Sequence, residues 1–182
     1  MWVKSEGMDL PIIYRSEISG DEAGISRVND LAFGQPNEGR LIEALRTKKT
    51  FVQELSLVAE LDGNIIGHIL FFPVNVRLSD GSLKKILSLA PLSVLPKYQN
   101  RGIGGMLILK GLKKAKLLGF RGVVVLGHAD YYPRFGFTRA SEWGIYCPFH
   151  LPDGSFMAIE LIDGQLEKIR GTVVFPPEYN ED

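Results

Sequence analysis

Leu92-Ser93-Val94-Leu95-Pro96-Lys97-Tyr98-Gln99-Asn100-Arg101-Gly102-Ile103-Gly104-Gly105 carries a strand through a proline into a glycine-rich turn, and the turn opens a helix. Helical spacing runs over about 100–118 and stops at Gly119, a residue suited to a left-handed C-terminal cap. Backbone N–H groups at such a helix start have no partner inside the helix and suit phosphate oxygens. Glycine lets a phosphate approach the backbone where a Cβ would hold it off. A P-loop fits poorly, because no Gly-Lys-Ser/Thr follows. A dinucleotide fingerprint fits no better, since Leu107 stands where glycine is needed. Taken alone, the turn is equally compatible with a purely structural role.

Within the helix, Gly104, Ile108, Gly111, Ala115 and Leu118 fall on one stripe. Three of these five are Gly or Ala, which predicts a close approach to a sheet, with Lys110, Lys113 and Lys114 pointing away. An interior helical glycine costs about 1 kcal/mol relative to alanine, a cost that close packing or a ligand can offset.

Upstream, a short strand is expected at 11–15 and two helices at 21–33 and 38–48, parted by Gly34-Gln35-Pro36-Asn37. Two β-rich runs, 51–61 and 64–78, meet at Asp62-Gly63, a hairpin signal. Asp80-Gly81 leads into a third run at 85–95. Downstream, Val123-Val124-Val125-Leu126 within 122–127 has the continuous apolar character of a buried strand. A helical turn is expected over 129–135, then strands within 137–146, at 156–161 and at 171–175. Three strands, a helix and a returning buried strand describe an α/β (α+β) sheet with a helical crossover.

At 182 residues, with 45% hydrophobic and 23% charged side chains, the chain suits a single domain spanning 1–182. Twenty-one basic and 21 acidic residues cancel, a balance unsuited to non-specific nucleic-acid binding. The charge is nevertheless polarised. No Asp or Glu occurs from 81 to 129, a stretch that holds Lys84, Lys85, Lys97, Arg101, Lys110, Lys113, Lys114, Lys116 and Arg121. The rest of the chain keeps 12 basic residues against all 21 acidic ones. This pattern suggests a local anionic ligand, although most of the helix lysines read as a solvated face. The apolar run 86–96 is far shorter than the ~20 residues of a membrane helix. Lys4 and Glu6 interrupt any N-terminal signal region, Met8 offers a second start, and a cytoplasmic protein is expected. Cys147, the sole cysteine, is expected to be a buried thiol and can form neither an internal disulfide nor a cysteine-based metal cluster.

Gln99-Asn100-Arg101-Gly102-Ile103-Gly104 resembles the pyrophosphate loop Gln/Arg-x-x-Gly-x-Gly/Ala of the GCN5-related N-acetyltransferase (GNAT) superfamily. Val94-x-Pro96 before it and the amphipathic helix after it are similar to that family's order. Tyr132-Pro133-Arg134-Phe135-Gly136-Phe137 resembles its second signature, Tyr-x-x-x-Gly-Phe. The text from 126 to 137, Cys147-Pro148-Phe149 and the run 156–161 look most like the YhbS-type branch. Many members carry Asn after the fifth strand where this chain has Gly127-His128, so that contact to the pantetheine arm is not carried over.

The resemblance implies a mixed, mostly antiparallel sheet with splayed central strands, flanked by helices. Its core would span about 11–140, with a β-rich extension at 141–182. It implies transfer of the acetyl group of acetyl-CoA to a primary amine of a small molecule or protein, without metal, nucleic acid or membrane. Backbone groups of Leu92 and Val94 would meet pantetheine, and Gln99, Asn100, Arg101, Gly102, Ile103, Gly104 and Gly105 would cradle pyrophosphate. Tyr132 would serve as acid or hydrogen-bond donor to the departing sulfur. Tyr131 reads as core or pocket wall and Glu60 as structural or solvated. His68, His128 and Ser88 are candidates for a proton relay, and no general base is assigned. An acyl-CoA-binding sensor without turnover is the alternative. The acceptor and the choice between monomer and homodimer stay open.

Overall fold

The computed structural model describes residues 10–152 and 154–180. Lys4, Glu6 and Met8 lie outside them. Strand β1 (Ile13–Ser16) leads to α1 (Glu22–Phe33) and α2 (Asn37–Arg46). The meander follows as β2 (Ser56–Leu61), β3 (Asn64–Arg77) and β4 (Leu83–Val94). Helix α3 (Ile103–Leu117) crosses over to β5 (Gly122–Leu126). Short strands β6 (Thr138–Arg139) and β7 (Ile145–Tyr146) precede β8 (Phe156–Glu160) and β9 (Gly171–Val174). The main path through the sheet is β1-β2-β3-β4-β5-β8-β6, with β9 pairing both β3 and β7. Of the neighbours on that path, β4 and β5 are parallel and all others antiparallel. The expected mixed sheet with a helical crossover is the one observed.

Local chemistry explains the boundaries. Asp62 and Gly63 both take positive φ, 49° and 77°, as the two-residue turn between β2 and β3 requires. Gly34 closes α1 at φ 69°. Arg15 ties three elements together: its guanidinium donates to both carboxylate oxygens of Asp21 at 2.6 and 3.0 Å and to Glu60 at 2.9 Å. Glu60 is thus part of the frame.

Successive β3 residues face opposite ways. A Cβ on Gly67 would meet Leu107 and Ile103 of α3, while His68 turns to Asn29 of α1. Helices α1 and α3 therefore cover opposite faces. Against the α3 face, Gly111 lies so close to Phe71 that a Cβ would stand 2.1 Å from its Cε2. The glycine is there for that contact. Leu118 departs from the expected stripe: it caps the helix and is exposed, whereas Ile103, Leu107 and Leu112 join Ile108, Gly111 and Ala115 on the buried side. The run 137–146 is not continuous strand, since a 3₁₀ turn at Ala140–Trp143 separates β6 from β7. A 3₁₀ turn at Gln53–Leu55 likewise shortens β2 at its start. A second apolar cluster, including Ile86, Val124, Ile145 and Val173, fills the space beneath the C-terminal strands.

Candidate active site

The parallel ladder between β4 and β5 holds three pairs and ends at Leu89 opposite Val125. Beyond it β4 runs on to Val94, paired there with β3, while Gly127 at the end of β5 donates instead to the Ser155 carbonyl. The two strands part, and β4 presents an edge inside the sheet. A cleft of about 610 Å³ opens at this point on the α3 side. Its walls are Leu92 and Val94 of β4, the turn residues Tyr98, Gln99, Asn100, Gly102, Ile103, Gly104 and Gly105, and Tyr131, Arg134 and Phe135.

The turn is built to expose backbone. Asn100 and Gly102 take positive φ, 62° and 81°, and delay α3 to Ile103. Nothing lies within 4 Å of a Cβ placed on Gly102, so that position opens freely onto the cleft side. Gln99 fixes the loop to the strand by donating through Nε2 to the Val94 carbonyl at 2.9 Å. The helix starts with no side-chain cap and no acidic residue in its first turn, leaving its N–H groups and dipole toward an anion. These are the properties a pyrophosphate cradle needs. Arg101 is not among the lining residues; its guanidinium rests 5.9 Å from the centre of the Tyr98 ring.

The two adjacent tyrosines take different places, and only Tyr131 is on the cleft wall. Tyr131 lines the cleft, and its hydroxyl stands 3.1 Å from where a Gly104 Cβ would be. Tyr132 lies behind it, 8% exposed, with its ring edge-to-face on Tyr131 at 5.2 Å and on Phe137 at 5.6 Å. Burial, with Tyr131 alongside, pushes the Tyr132 phenol up to about 12, so it stays protonated. Gly127 makes room for it: a Cβ there would lie 2.2 Å from the Tyr132 ring. An asparagine at 127 would need the space that this ring fills.

On the opposite face, a buried polar chain runs through α1, β3 and β2. Arg46 donates to Glu17 at 2.9 Å, and Ser56 donates to Glu17 Oε2 at 2.5 Å. With its proton committed, Ser56 Oγ accepts from His68 Nε2 at 2.8 Å, and His68 Nδ1 faces Asn29 Nδ2 at 3.4 Å. Complete burial and the Arg46 charge lower the His68 imidazole to about 3, so it is neutral. Ser93, the register partner of His68 on β4, is buried with its Oγ unpartnered. This network left no mark in the sequence beyond His68 itself, because hydrogen-bonded partners within it stand up to 39 positions apart. His128 is exposed. Cys147 is half-buried rather than buried, and its burial still raises the thiol. Among the described residues no set of three or more His, Cys, Asp or Glu could hold a metal, and no helix is long and apolar enough to cross a membrane.

Comparison with known proteins sharpens these features. The sequence profile of the acetyltransferase (GNAT) family matches residues 25–137. The chain is 40% identical over 135 residues to the uncharacterized N-acetyltransferase YjhQ of Escherichia coli strain K12, covering 73% of this chain and 74% of that protein. It is 31% identical over 170 residues to the uncharacterized N-acetyltransferase YhbS of the same strain, covering 93% and 99%. The crystal structure of Escherichia coli YhbS in complex with CoA superposes with a TM-score of 0.87 at 30% identity, over 96% of this chain and 94% of that one. A GNAT family acetyltransferase from Brucella melitensis in complex with acetyl-CoA gives 0.75 at 34% identity, over 92% and 97%.

Proposed function

Because this chain belongs to the acetyltransferase (GNAT) family, we propose that it is an acetyl-CoA-dependent N-acetyltransferase acting on a primary amine. The observation that carries this reading is the cleft at the parted strands, with a free β4 edge and an uncapped glycine-rich helix start on its walls. Two similar structures, those of YhbS and the Brucella protein, are complexes with CoA and acetyl-CoA. On this reading the backbone of 99–105 holds the pyrophosphate, and the backbone of Leu92 and Val94 holds the pantetheine arm.

The bound thioester supplies the acyl group. The bond from the carbonyl carbon to the amine nitrogen forms as its bond to sulfur breaks, the nitrogen gives up one proton, and the sulfur takes one. A lysine-like ammonium near 10.4 costs roughly 5 kcal/mol to neutralise at pH 7, so the acceptor must shed its proton to a relay or enter desolvated. Tyr132 serves the sulfur side. A phenol at about 12 facing a thiol near 8.5 makes complete proton transfer roughly 5 kcal/mol uphill, so Tyr132 acts as a hydrogen-bond donor as negative charge grows on sulfur.

The test has two arms. Millimolar acetyl-CoA should raise the melting temperature by mass action, and a panel of primary amines should release CoA thiol in its presence. A folded protein indifferent to acetyl-CoA refutes the reading. Stabilisation without turnover on any amine replaces it with that of an acyl-CoA sensor.

A further inference from the structure

None of the nine basic residues in the acid-free stretch 81–129 lines the donor cleft. Three of them, Lys84, Lys85 and Arg121, line a second groove of about 350 Å³ at the opposite end of β4. Leu83, at its border, stands about 30 Å along the strand from Leu92, at about 3.3 Å per residue.

One wall of this groove is backbone. Strand β4 pairs with β3 from Leu83 onward, but its ladder with β5 starts at Leu87 opposite Val123. Among the described residues nothing pairs with 83–85 on the β5 side, so the strand shows an edge there. The turn from α3 to β5 forms the other wall. Gly119 takes φ 86°, Phe120 folds back to donate its N–H to the Ala115 carbonyl, and the Arg121 carbonyl accepts from Leu161, just past β8. These bonds commit the turn to α3 and β8 and leave the β4 edge open. Leu83 and Leu118, 51% and 47% exposed, and half-buried Phe120 give the groove an apolar surface.

Its cations have no carboxylate of their own. Among the described residues Lys85 and Arg121 make no ion pair and no side-chain hydrogen bond. The nearby acids are committed elsewhere. Asp80 accepts from the N–H and hydroxyl of Ser82 at 2.9 and 2.6 Å and acts on Lys84 through space. Glu160, opposite Gly122 on β8, accepts from the N–H groups of Gly164 and Leu166 at 3.0 and 2.9 Å. Lys114 and Lys116 in the last turn of α3 offset the negative end of its dipole.

We propose that this groove docks an extended, acidic segment of a partner protein, which adds to β4 as a strand along 83–85. The open edge selects backbone in extended form, the three cations select its charge, and Leu83, Leu118 and Phe120 take an apolar side chain between acidic ones. A twofold pair of this chain through the same patch would set Lys84, Lys85 and Arg121 against their own copies, so a second copy does not fit. The site shares no residue with the donor cleft, and its occupant binds whether or not CoA is present.

The experiment is fluorescence anisotropy of a short labelled peptide of alternating glutamate and valine, titrated with the full chain with and without saturating CoA. This peptide should bind at least tenfold tighter than its lysine–valine counterpart, and equally in both conditions. Lys85→Glu combined with Arg121→Glu should weaken it tenfold or more. The variant should keep the native melting temperature and acetyl-CoA affinity, because neither residue belongs to the core or the donor cleft. Methylating the peptide's N–H groups along one edge should cost at least fivefold and along the other edge little, because an added strand turns one edge to β4. The proposal is overturned if the two peptides bind alike, if the charge-reversed variant titrates like the native chain, or if both methylated forms lose equally. Capture of the native chain, but not the variant, by phosphatidylserine vesicles with the peptide left unbound overturns it in favour of a membrane surface.

Discussion

Gly127 and the ring of Tyr132 touch at a distance that only a hydrogen on the glycine tolerates, since a Cβ would lie 2.2 Å from Cε2 and 2.8 Å from Cδ2. Gly127→Ala must therefore push the ring out of its edge-to-face packing with Phe137. Overpacking of this kind costs about 1–3 kcal/mol. With Tyr132→Ala already in place, the same change should cost under about 0.5 kcal/mol, because the clash is gone. Denaturant unfolding of the two single variants and the double variant reads this coupling directly. Additive losses would mean that the glycine serves something other than the ring.

Tyr132→Phe should keep acetyl-CoA affinity within a few-fold and lower turnover on an accepted amine by ten- to a thousand-fold. The ring packing is conserved, and the lost hydrogen bond matters most when charge sits on sulfur. Tyr131→Phe should lower turnover less than threefold, since Tyr131 serves as cleft wall. Steady-state rates at saturating donor separate the two, and the reverse order would move the role to Tyr131.

Gly102→Glu should abolish acetyl-CoA binding with the fold kept. The position has open space around it but a φ of 81°, so the change adds local strain and puts a carboxylate at the N–H groups meant for an anion. Gly104→Glu should do the same with a larger loss of stability, because its Cβ meets the Tyr131 hydroxyl at 3.1 Å. Calorimetry on folded variants decides; near-native affinity would put the donor elsewhere.

His68 makes stability fall in mild acid. Its folded value of about 3 lies below the ordinary 6.5, so between those values the unfolded chain binds a proton that the folded chain refuses. Its contribution is therefore complete above about pH 6.5 and is lost as pH falls toward 3. From pH 7 to pH 5 the loss is about 2 kcal/mol. His68→Gln should lower stability at pH 7 and flatten this decline, as measured by unfolding at the two pH values. An unchanged slope would assign the acid sensitivity to other groups.

Local chemistry was legible and distant pairing was not. Asp62-Gly63 and the 99–104 loop declare themselves, because positive φ and glycine at fixed spacing are properties of a few adjacent residues. Tyr132 could be singled out by its motif, but its place behind Tyr131 could not, since Tyr131 caps the 3₁₀ turn at Tyr132–Phe135 that Tyr132 begins, and packing selects the angle between the two side chains. The placement of the Arg101 guanidinium, 5.9 Å from the centre of the Tyr98 ring, is likewise set by packing and not by its position in the motif. The pairing of β9 with β3, Asn75 opposite Val174, joins residues with no shared sequence signal. Ser88 and Tyr179 meet across half the chain for the same reason.

The short parallel ladder of β4 and β5 also has a mechanical side. It is a seam between two plates, β1 to β4 with β9 on one side and β5, β8 and β6 on the other, held along that line by three residue pairs. Each plate is tied within itself by longer antiparallel pairing, notably the ten register pairs of β3 with β4. A seam of this kind yields to shear before either plate loses its own bonds. A ligand seated in the cleft beyond Leu89 and Val125 would touch Leu92 and Val94 on one side and Tyr131 and Phe135 on the other, and so would rivet the two plates together.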